Sequence, residues 1–533
     1  MSNLDRRKFL FGGVVAAAWR PRLLGAAALP GVPLVMGCTT EPTSFDPLFQ
    51  YFGPNRQAHF PIFEPLAAYD ARLGVVPALA ESWSLLDPTT WEFILREGVR
   101  FHDGTALEAQ DVTFSLERAS TVPNSPSTMG VYTQAIRHLT APHRRAVRVS
   151  TKTVSPLLVR DLANIPIVSR RAASGLATAD FDRGTGLIGT GPYRFGRWDK
   201  GQAITYEAFT PYWGSAPEWS TVTARLIPDG QERLRALRSG EVQLVDQVPP
   251  QEMARLLGDP ATHVARVESN FVMYLHMDQF RDVTPSITDR SGRPIGNPLR
   301  DVRVRRALSK AIDRDAIVRD VLSGAASPAS QFLPSTFAGT IADLGAERHD
   351  PGVARELLAA AGFADGFKMT IHGTKGRYPN DTAVLETIAQ SFTKIGLGVD
   401  TVALPPTEFF TRASSGRDGL PEFSLILTGW SSVDPSGALK GLVTTFDKST
   451  GAGSSNRGRY SNAKVDALLR DALATIEEDR RAALLREATR LAVVEDQAII
   501  PLFYPTNIWA STGSLKYDPR VDGSTFPMDA HRV

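Results

Sequence analysis

The clearest pattern of apolar and polar positions lies in residues 79–118, whose sequence is LAESWSLLDPTTWEFILREGVRFHDGTALEAQDVTFSLERA. Residues 91–96 alternate Trp, Phe and Leu with Glu, Ile and Arg, which is the period of a half-buried strand. Asp103 and Gly104 favour a turn, because glycine reaches positive φ without strain. From 105 to 118 the apolar spacing becomes helical. This stretch therefore predicts a strand, a turn and a helix.

Helices alternate with strands in the C-terminal half. Asp301 can cap a helix, and its residues Arg303, Arg305 and Arg306 are expected to form a solvated face rather than an anion site. The elements predicted further along are helix 350–362, strand 367–371, helix 382–395, strand 399–404, two helices within 464–494 split around Glu478, and strand 498–504. This order implies an α/β protein, and 533 residues are too many for a single core.

The first 28 residues have the composition of an export signal. Asp5 to Leu10 resembles the twin-arginine export motif, apolar stretches follow, and Ala26–Ala28 supplies small residues for a signal peptidase. Neither apolar stretch reaches the ~20 residues that a membrane-spanning helix needs. This segment carries a net charge of +4, so the +2 of the whole chain leaves −2 for the remainder. The remainder lacks the basic excess typical of nucleic-acid binding, and the protein is expected in the periplasm.

The single cysteine, Cys38, has two interpretations. Residues 35–38 loosely resemble a lipobox, which would make Cys38 a lipidated N-terminal residue. Alternatively, residues 33–40 form the first strand of the mature domain and bury the thiol. The strand is favoured because Met36 fits a lipobox poorly and because so short a motif match often arises by chance.

Enzyme motifs are scarce in the sequence. It has no nucleophile elbow, HExxH zinc motif, Walker A loop or Cys–His pair at ligand spacing. Residues 184–189 match the letters of a dinucleotide fingerprint, but no strand is predicted before them and Pro192 stands where a helix should begin. His102 is interpreted as structural. The chain is therefore predicted not to be an enzyme and to hold no cofactor or metal.

Residues 79–118 resemble the signature of the family 5 solute-binding proteins of ABC importers, which include peptide, nickel and opine binders. The likeness runs from Glu41 to about Trp509 and implies an α/β, two-lobed periplasmic binding protein-like fold (type II, class C) with an extra domain and a hinge. The implied divisions are a signal peptide at 1–28, a first lobe made of 29–66, 187–275 and 506–533, an extra domain at 67–186, and a second lobe at 276–505.

The resemblance also implies two ligand anchors. Residues 376–381 are similar to a family segment whose arginine holds the ligand carboxylate, which gives that role to Arg377, beside Tyr378. Residues 429–435 are similar to a loop whose first aspartate takes the ligand's amino group. This chain has Val433 at that place, so Asp434 either serves as the amine anchor or is the structural aspartate before proline.

Five further residues are assigned to the cleft by the same resemblance. Trp430 is expected to supply apolar wall, with Ser431 and Ser432 offering adaptable hydrogen bonds. Glu41 and Thr43, in the loop after the first strand, match positions that line the cleft in the family.

Three functions remain open on this basis. The leading one is an extracytoplasmic receptor that captures peptides or peptide-like solutes by hinge closure and delivers them to ABC permease subunits in the inner membrane, with a separate ATPase. The second is the same role for an opine, metal chelate, haem or glutathione-like conjugate, which Val433 favours. A secreted hydrolase is third and has no nucleophile. The receptor is expected to act as a monomer.

Overall fold

The computed structural model describes residues 31–416 and 418–533, so the predicted export signal at 1–28 lies outside the described residues. The strands are β1 (Pro33–Cys38), β2 (Ala67–Tyr69), β3 (Val75–Pro77), β4 (Ala80–Asp87), β5 (Thr90–Leu95), β6 (Ile136–His143), β7 (Ala146–Thr151), β8 (Tyr193–Asp199), β9 (Ala203–Ala208), β10 (Thr221–Leu226), β11 (Leu244–Val245), β12 (Thr262–Glu268), β13 (Phe271–Met277), β14 (Ile287–Thr288), β15 (Ala326–Pro328), β16 (Lys368–Thr374), β17 (Gly398–Leu404), β18 (Leu425–Ser431), β19 (Ile499–Thr512), β20 (Leu515–Tyr517) and β21 (Ala530–Arg532).

The α-helices of the same part of the chain are α1 (Gly53–His59), α2 (Ala109–Arg118), α3 (Leu158–Leu162), α4 (Arg170–Ala173), α5 (Thr178–Asp182), α6 (Gly230–Arg238), α7 (Met253–Leu257), α8 (Val302–Ala311), α9 (Arg314–Ala316), α10 (Pro351–Ala360), α11 (Asp381–Thr393), α12 (Pro406–Ser414), α13 (Pro435–Ala438), α14 (Ala463–Leu473) and α15 (Glu478–Thr489). A π-helical turn at Leu439–Val443 follows α13. No helix of the described residues has both the length and the apolar character needed to cross a membrane.

A sheet of 13 strands among the described residues has two halves that share one strand. One half contains β1 and β8–β12, and the other contains β13–β18. β19 pairs with β13 and β15 near its start and with β11 and β12 towards its end. The first six residues of β19 are all buried, which confirms the strand predicted at 498–504, and residues 505–507 are only half-buried where β19 passes between the halves.

Two segments of chain cross from one half of the sheet to the other, the 505–507 part of β19 and the link from β12 to β13 at 268–271. The backbone N–H of Asn270 and the side-chain Nδ2 of Asn507 both donate to the carbonyl oxygen of Val521, at 3.1 and 3.0 Å. The two crossings are therefore tied to one point of the C-terminal segment. The lobe and domain boundaries expected from the sequence stay predictions.

β4, β5, β7 and β6 form a separate antiparallel sheet in that order. β5 confirms the strand predicted from the 91–96 alternation, with Phe93 and Leu95 fully buried. The following helix begins at Ala109 instead of 105, because the Asp103 carboxylate accepts hydrogen bonds from the N–H and hydroxyl of Thr105 and holds a turn there.

The helices and strands predicted for the second half are present. α10, β16, α11 and β17 follow one another in the expected order, and α14 and α15 are divided just before Glu478. Asp301 caps α8 by accepting a hydrogen bond from the N–H of Arg303 at 2.8 Å. The prediction of a solvated face is wrong for Arg305, which is 6% exposed. Its guanidinium donates to the carbonyl oxygens of Leu299, Arg300, Asp496 and Gln497.

Three other interpretations of the sequence can be compared with the fold. The first strand is confirmed: Cys38 ends β1 and is 4% exposed, and burial raises the pKa of its thiol. His102 is buried with its Nε2 2.9 Å from the carbonyl oxygen of Gly191, as a structural residue would be. Residues 184–189 follow α5 and precede β8, so they lack the strand and helix of a dinucleotide site.

Candidate functional site

The loops assigned to the two ligand anchors lie at the same edge of the main sheet. β16 and β18 run parallel, so loops 375–380 and 431–434 both leave the carboxyl ends of strands, where open α/β sheets bind ligands. Phe271 links the loop after β16 to the end of β18. Its ring centroid lies 5.6 Å from that of Tyr378, and its ring packs so closely on Gly429 that a Cβ there would lie 2.1 Å from it.

Asp381 holds the loop after β16 in shape. Its carboxylate accepts hydrogen bonds from the hydroxyl of Thr374 and from the backbone N–H groups of Gly376, Arg377 and Tyr378, at 2.9 to 3.3 Å. One buried carboxylate therefore orders the loop and presents the Arg377 side chain outward.

Arg377 is exposed and has no acidic partner within the described residues. Its guanidinium carbon lies 5.1 Å from the ring centroid of Phe410 and 5.5 Å from that of Tyr378, and its Nε donates to the Tyr378 hydroxyl at 3.3 Å. The two rings direct the cation without neutralising it. This arrangement leaves the guanidinium fork available for a carboxylate.

Trp430 stands at the end of β18 with its indole against Gly441 in the π-helical turn. A Cβ on Gly441 would lie 2.8 Å from the indole Cζ2, so only glycine leaves room for the ring in this position. The indole Nε1 is buried and has no acceptor among the described residues. Trp430 is half-buried, which fits a wall of the cleft.

The two serines that follow differ in what they contact. Ser431 is exposed. Ser432 is buried and is tied to Asn270, whose Nδ2 donates to the Ser432 carbonyl at 2.9 Å. The Ser432 hydroxyl donates to the Asp434 carbonyl at 2.5 Å. Ser432 therefore fastens this loop to the crossing segment, and only Ser431 presents a hydroxyl to solvent.

Asp434 caps α13. Its Oδ1 accepts from the N–H of Ser436 at 2.8 Å and from the Ser436 hydroxyl at 2.5 Å. The preceding Val433 packs against an apolar cluster that includes Tyr69 and Val521, from segments distant in sequence. The geometry of Asp434 is that of the structural aspartate before proline.

An acidic residue that the sequence analysis did not select, Asp161, faces this loop from α3. Burial, and after it the charge of Asp434, raises the pKa of Asp161 to about 7, and Lys440 opposes the shift. Within the described part of the chain its carboxylate accepts no hydrogen bond and makes no ion pair. The one signal in the sequence is an acid inside the apolar run 157–168.

Glu41 and Thr43 hold the loop after β1 in place. The Glu41 Oε2 accepts from the backbone N–H of Gly201 at 2.9 Å and from the indole Nε1 of Trp198 at 3.3 Å. The N–H of Thr43 donates to the Asn55 Oδ1 at 2.8 Å. No hydrogen bond joins either residue to the Arg377 or Trp430 loops in the described ranges, so the structure brings these loops together without Glu41 and Thr43.

The main sheet has two parts that share one strand, and the two crossing segments are tied together. A cation without an acidic partner stands at the carboxyl ends of parallel strands. These features together define a two-lobed binding protein. Residues 74–450 match the family described as bacterial extracellular solute-binding proteins, family 5, middle region. The chain belongs to this family.

Named relatives agree with this assignment. The chain is 27% identical to the dipeptide-binding protein of Escherichia coli over 503 residues, which cover 89% of each chain. It is 28% identical to the glutathione-binding protein GsiB of Pectobacterium atrosepticum over 501 residues, covering 91% of this chain and 90% of that protein. It is similar in fold to the periplasmic binding protein DppA from Helicobacter pylori in complex with the peptide STSA, with a TM-score of 0.74 and 24% identity, covering 94% of this chain and 98% of that one.

Proposed function

We propose that this solute-binding protein is the extracytoplasmic receptor of an ABC importer and that it captures a peptide or peptide-like solute. The observation that carries the proposal is Arg377, an arginine without an acidic partner that Asp381 and two aromatic rings hold at the carboxyl edge of the sheet. A relative named for dipeptide binding supports this class of solute. Dipeptides carry a free carboxylate, as does glutathione, for which another relative is named.

Arg377 binds the carboxylate of the solute in this proposal. Its planar fork matches both carboxylate oxygens, and the neighbouring rings lower the entropy lost when the side chain is fixed. Tyr378, whose ring centroid lies 5.6 Å from that of Phe271, and Trp430 supply apolar wall, and Ser431 offers a hydroxyl. These contacts come from the second lobe.

Asp161 is the proposed partner of the solute's ammonium group. Asp434 already accepts two hydrogen bonds from Ser436, whereas the Asp161 carboxylate accepts none. An ammonium beside Asp161 stabilises the ionised form of this carboxyl group, since an opposite charge lowers the pKa that burial raises. The amine anchor then comes from the predicted extra domain, opposite the Val433 loop.

Capture proceeds by closure about the crossing segments. A solute that contacts Arg377 on one side and Asp161 on the other binds the closed form better than the open form and shifts the population towards it. The permease subunits in the inner membrane recognise the closed form, a separate ATPase drives transport, and this chain hydrolyses nothing. The receptor works in the periplasm as a monomer, after export directed by residues 1–28.

A second candidate is the same receptor role for a solute that is not a peptide. The observation in its favour is Val433, which packs in an apolar cluster where the family loop has its amine-binding aspartate. Opines, metal chelates, haem and glutathione-like conjugates are the solutes to compare.

Calorimetric titration tests the proposal. The purified protein is titrated with alanyl-alanine, glutathione, an opine and nickel–histidine, and turnover of each is followed over the same period. Binding of alanyl-alanine without turnover is the expected result. Heat from only glutathione, the opine or the nickel chelate would move the assignment to the second candidate, and product formation would contradict the receptor role.

A further inference from the structure

Buried polar atoms without partners line one face of β13 and β18. Tyr274 lies opposite Thr428 in the antiparallel pairing, Val272 lies opposite Trp430, and His276 is two residues along from Tyr274 on the same side. Tyr274 and Thr428 are 0% exposed and His276 is 2% exposed. The Tyr274 hydroxyl, Thr428 Oγ1, His276 Nδ1 and Trp430 Nε1 have no hydrogen-bond partner in the described part of the chain.

All four of these atoms can donate a hydrogen bond. The backbone N–H of Gly458 donates to His276 Nε2 at 3.3 Å, so the ring hydrogen is on Nδ1. Burial, and after it Arg457, lowers the pKa of His276 to about 3, which keeps the ring neutral. The indole N–H of Trp430 can only donate. The face therefore requires an acceptor, and buried polar groups in native proteins are nearly always satisfied.

Arg457 adds a positive charge beside these donors. Gly458 closes on the end of β13 so tightly that a Cβ there would lie 2.1 Å from the Met277 carbonyl oxygen, which fixes the adjoining Arg457. The guanidinium carbon of Arg457 lies 5.4 Å from the ring centroid of Phe410 and its Nε donates to the Ser414 hydroxyl at 3.3 Å. No acidic residue pairs with Arg457 in the described ranges.

Phe410 connects this face with the proposed carboxylate anchor. Arg377 and Arg457 contact the same ring, at 5.1 and 5.4 Å from its centroid. Two unpaired guanidinium groups around one phenyl ring would repel each other in the empty protein. A ligand with two acidic groups would remove that repulsion and accept hydrogen bonds from the unpartnered donors of this face.

We propose that Tyr274, Thr428 and Arg457 form a second subsite, which takes an acidic group of the solute in addition to the carboxylate at Arg377. The inference rests on the proposed function for the position of the first carboxylate. It narrows the solute to a class, small molecules with two acidic groups, such as a peptide with an acidic side chain. The hydroxyls and the His276 N–H donate hydrogen bonds to the oxygen atoms of the acidic group, and Arg457 attracts its negative charge.

Paired ligands separate this inference from the proposed function. Alanyl-glutamate, alanyl-glutamine and alanyl-alanine are titrated calorimetrically, with glutarate as a diacid that is not a peptide. Preference for alanyl-glutamate over the other two peptides by about tenfold is expected, since charge-assisted hydrogen bonds are roughly twice as strong as neutral ones. Equal affinities for the three peptides would support the receptor function and overturn the second subsite. Glutarate binding without peptide binding would support the second subsite and overturn the proposed function. Absence of binding by both alanyl-glutamate and glutarate would overturn the subsite.

Three variants test which residues give the preference for alanyl-glutamate. Arg457→Gln, Tyr274→Phe and Thr428→Val should each reduce the preference for alanyl-glutamate, whereas Arg459→Gln, two residues from Arg457, should not alter that preference. Tyr274→Phe should also keep or raise the melting temperature, because its hydroxyl has no partner to lose in the ligand-free protein. Tyr504→Phe is the matched control that should lower it, because the Tyr504 hydroxyl bonds to Gln331 and Leu333. If Tyr274→Phe lowers it as much as Tyr504→Phe does, or if the preference survives all three variants, the subsite is overturned.

Discussion

The carboxylate Oδ1 of Asp434 accepts a hydrogen bond from the backbone N–H of Ser436 at 2.8 Å, and this contact defines the start of α13. A carboxylate used in this way satisfies an N–H that the helix itself leaves unpaired. It is poorly placed to receive a ligand's ammonium group as well. The distinction between a capping and a binding aspartate can be measured.

Asp434→Ala is expected to destabilise the protein and to leave affinity for alanyl-alanine nearly unchanged. Loss of an N-cap costs about 1 kcal/mol. Urea unfolding measures the first effect and calorimetry the second. Asp301→Ala, which removes the cap of α8 away from the anchor loops, is the matched control and should give a similar loss of stability. A loss of affinity of about tenfold or more in Asp434→Ala alone would return the amine-anchor role to Asp434.

Asp161 should give stability an additional dependence on pH. Its pKa in the fold is about 7, mainly through burial, against about 3.9 for an unperturbed aspartate. Because the folded pKa is raised, the stability that Asp161 contributes is complete below about pH 4 and is lost as the pH rises through about 7. Asp161→Asn cannot ionise, so its urea midpoint should fall less than that of the wild type between these values. Asp343→Asn, at an exposed site, should follow the wild type; parallel curves for Asp161→Asn and the wild type would contradict the raised pKa.

The same carboxylate should make binding depend on pH in the opposite sense. An ammonium ligand needs Asp161 ionised, so affinity for alanyl-alanine should rise from about pH 5.5 to about pH 7, below the ~7.7 at which the amino group itself deprotonates. Calorimetry in matched buffers measures the rise. Asp161→Asn should bind alanyl-alanine more weakly and should lose the rise in affinity with pH. A rise that persists in Asp161→Asn would assign the pH dependence of binding to another group.

Local sequence patterns predicted the helices and strands well. Packing between distant segments determined the burial and the partners of individual side chains, which local patterns could not predict. The β5 alternation and the helix–strand order through β17 are properties of neighbouring residues, so they can be derived from the sequence. Arg305 is in a helix with the spacing of a solvated face, but its burial depends on carbonyls nearly 200 residues away. The raised pKa of Asp161 likewise comes from burial by the fold and, after it, from Asp434 on a distant loop. Arg377 could be selected from the sequence by motif comparison. The residue that holds its loop, Asp381, is nearby in the sequence, so the segment can be compared as one motif.

Arg377→Ala should lower affinity for carboxylate ligands by tenfold or more without a large change in melting temperature. The side chain is exposed and pairs with no acid among the described residues, so its removal leaves no buried charge uncompensated. Arg377→Lys keeps the charge and loses the planar fork, and it should recover only part of the affinity. Arg137→Ala, an exposed arginine in β6, is the control for general charge effects. Affinity unchanged in Arg377→Ala would remove this residue from the site.

Gly441→Val tests whether the position of Trp430 shapes the cleft. A Cβ at Gly441 would lie 2.8 and 2.9 Å from the indole Cζ2 and Cη2, so the larger side chain must displace the ring. Overpacking of this kind costs ~1–3 kcal/mol, and we expect it as a combined loss of stability and of ligand affinity, measured by urea unfolding and calorimetry. Gly345→Val is the matched control, because no atom lies within 4 Å of a Cβ there. The wall role of Trp430 fails if Gly441→Val loses stability and keeps full affinity, because the ring would then have moved without consequence for the ligand.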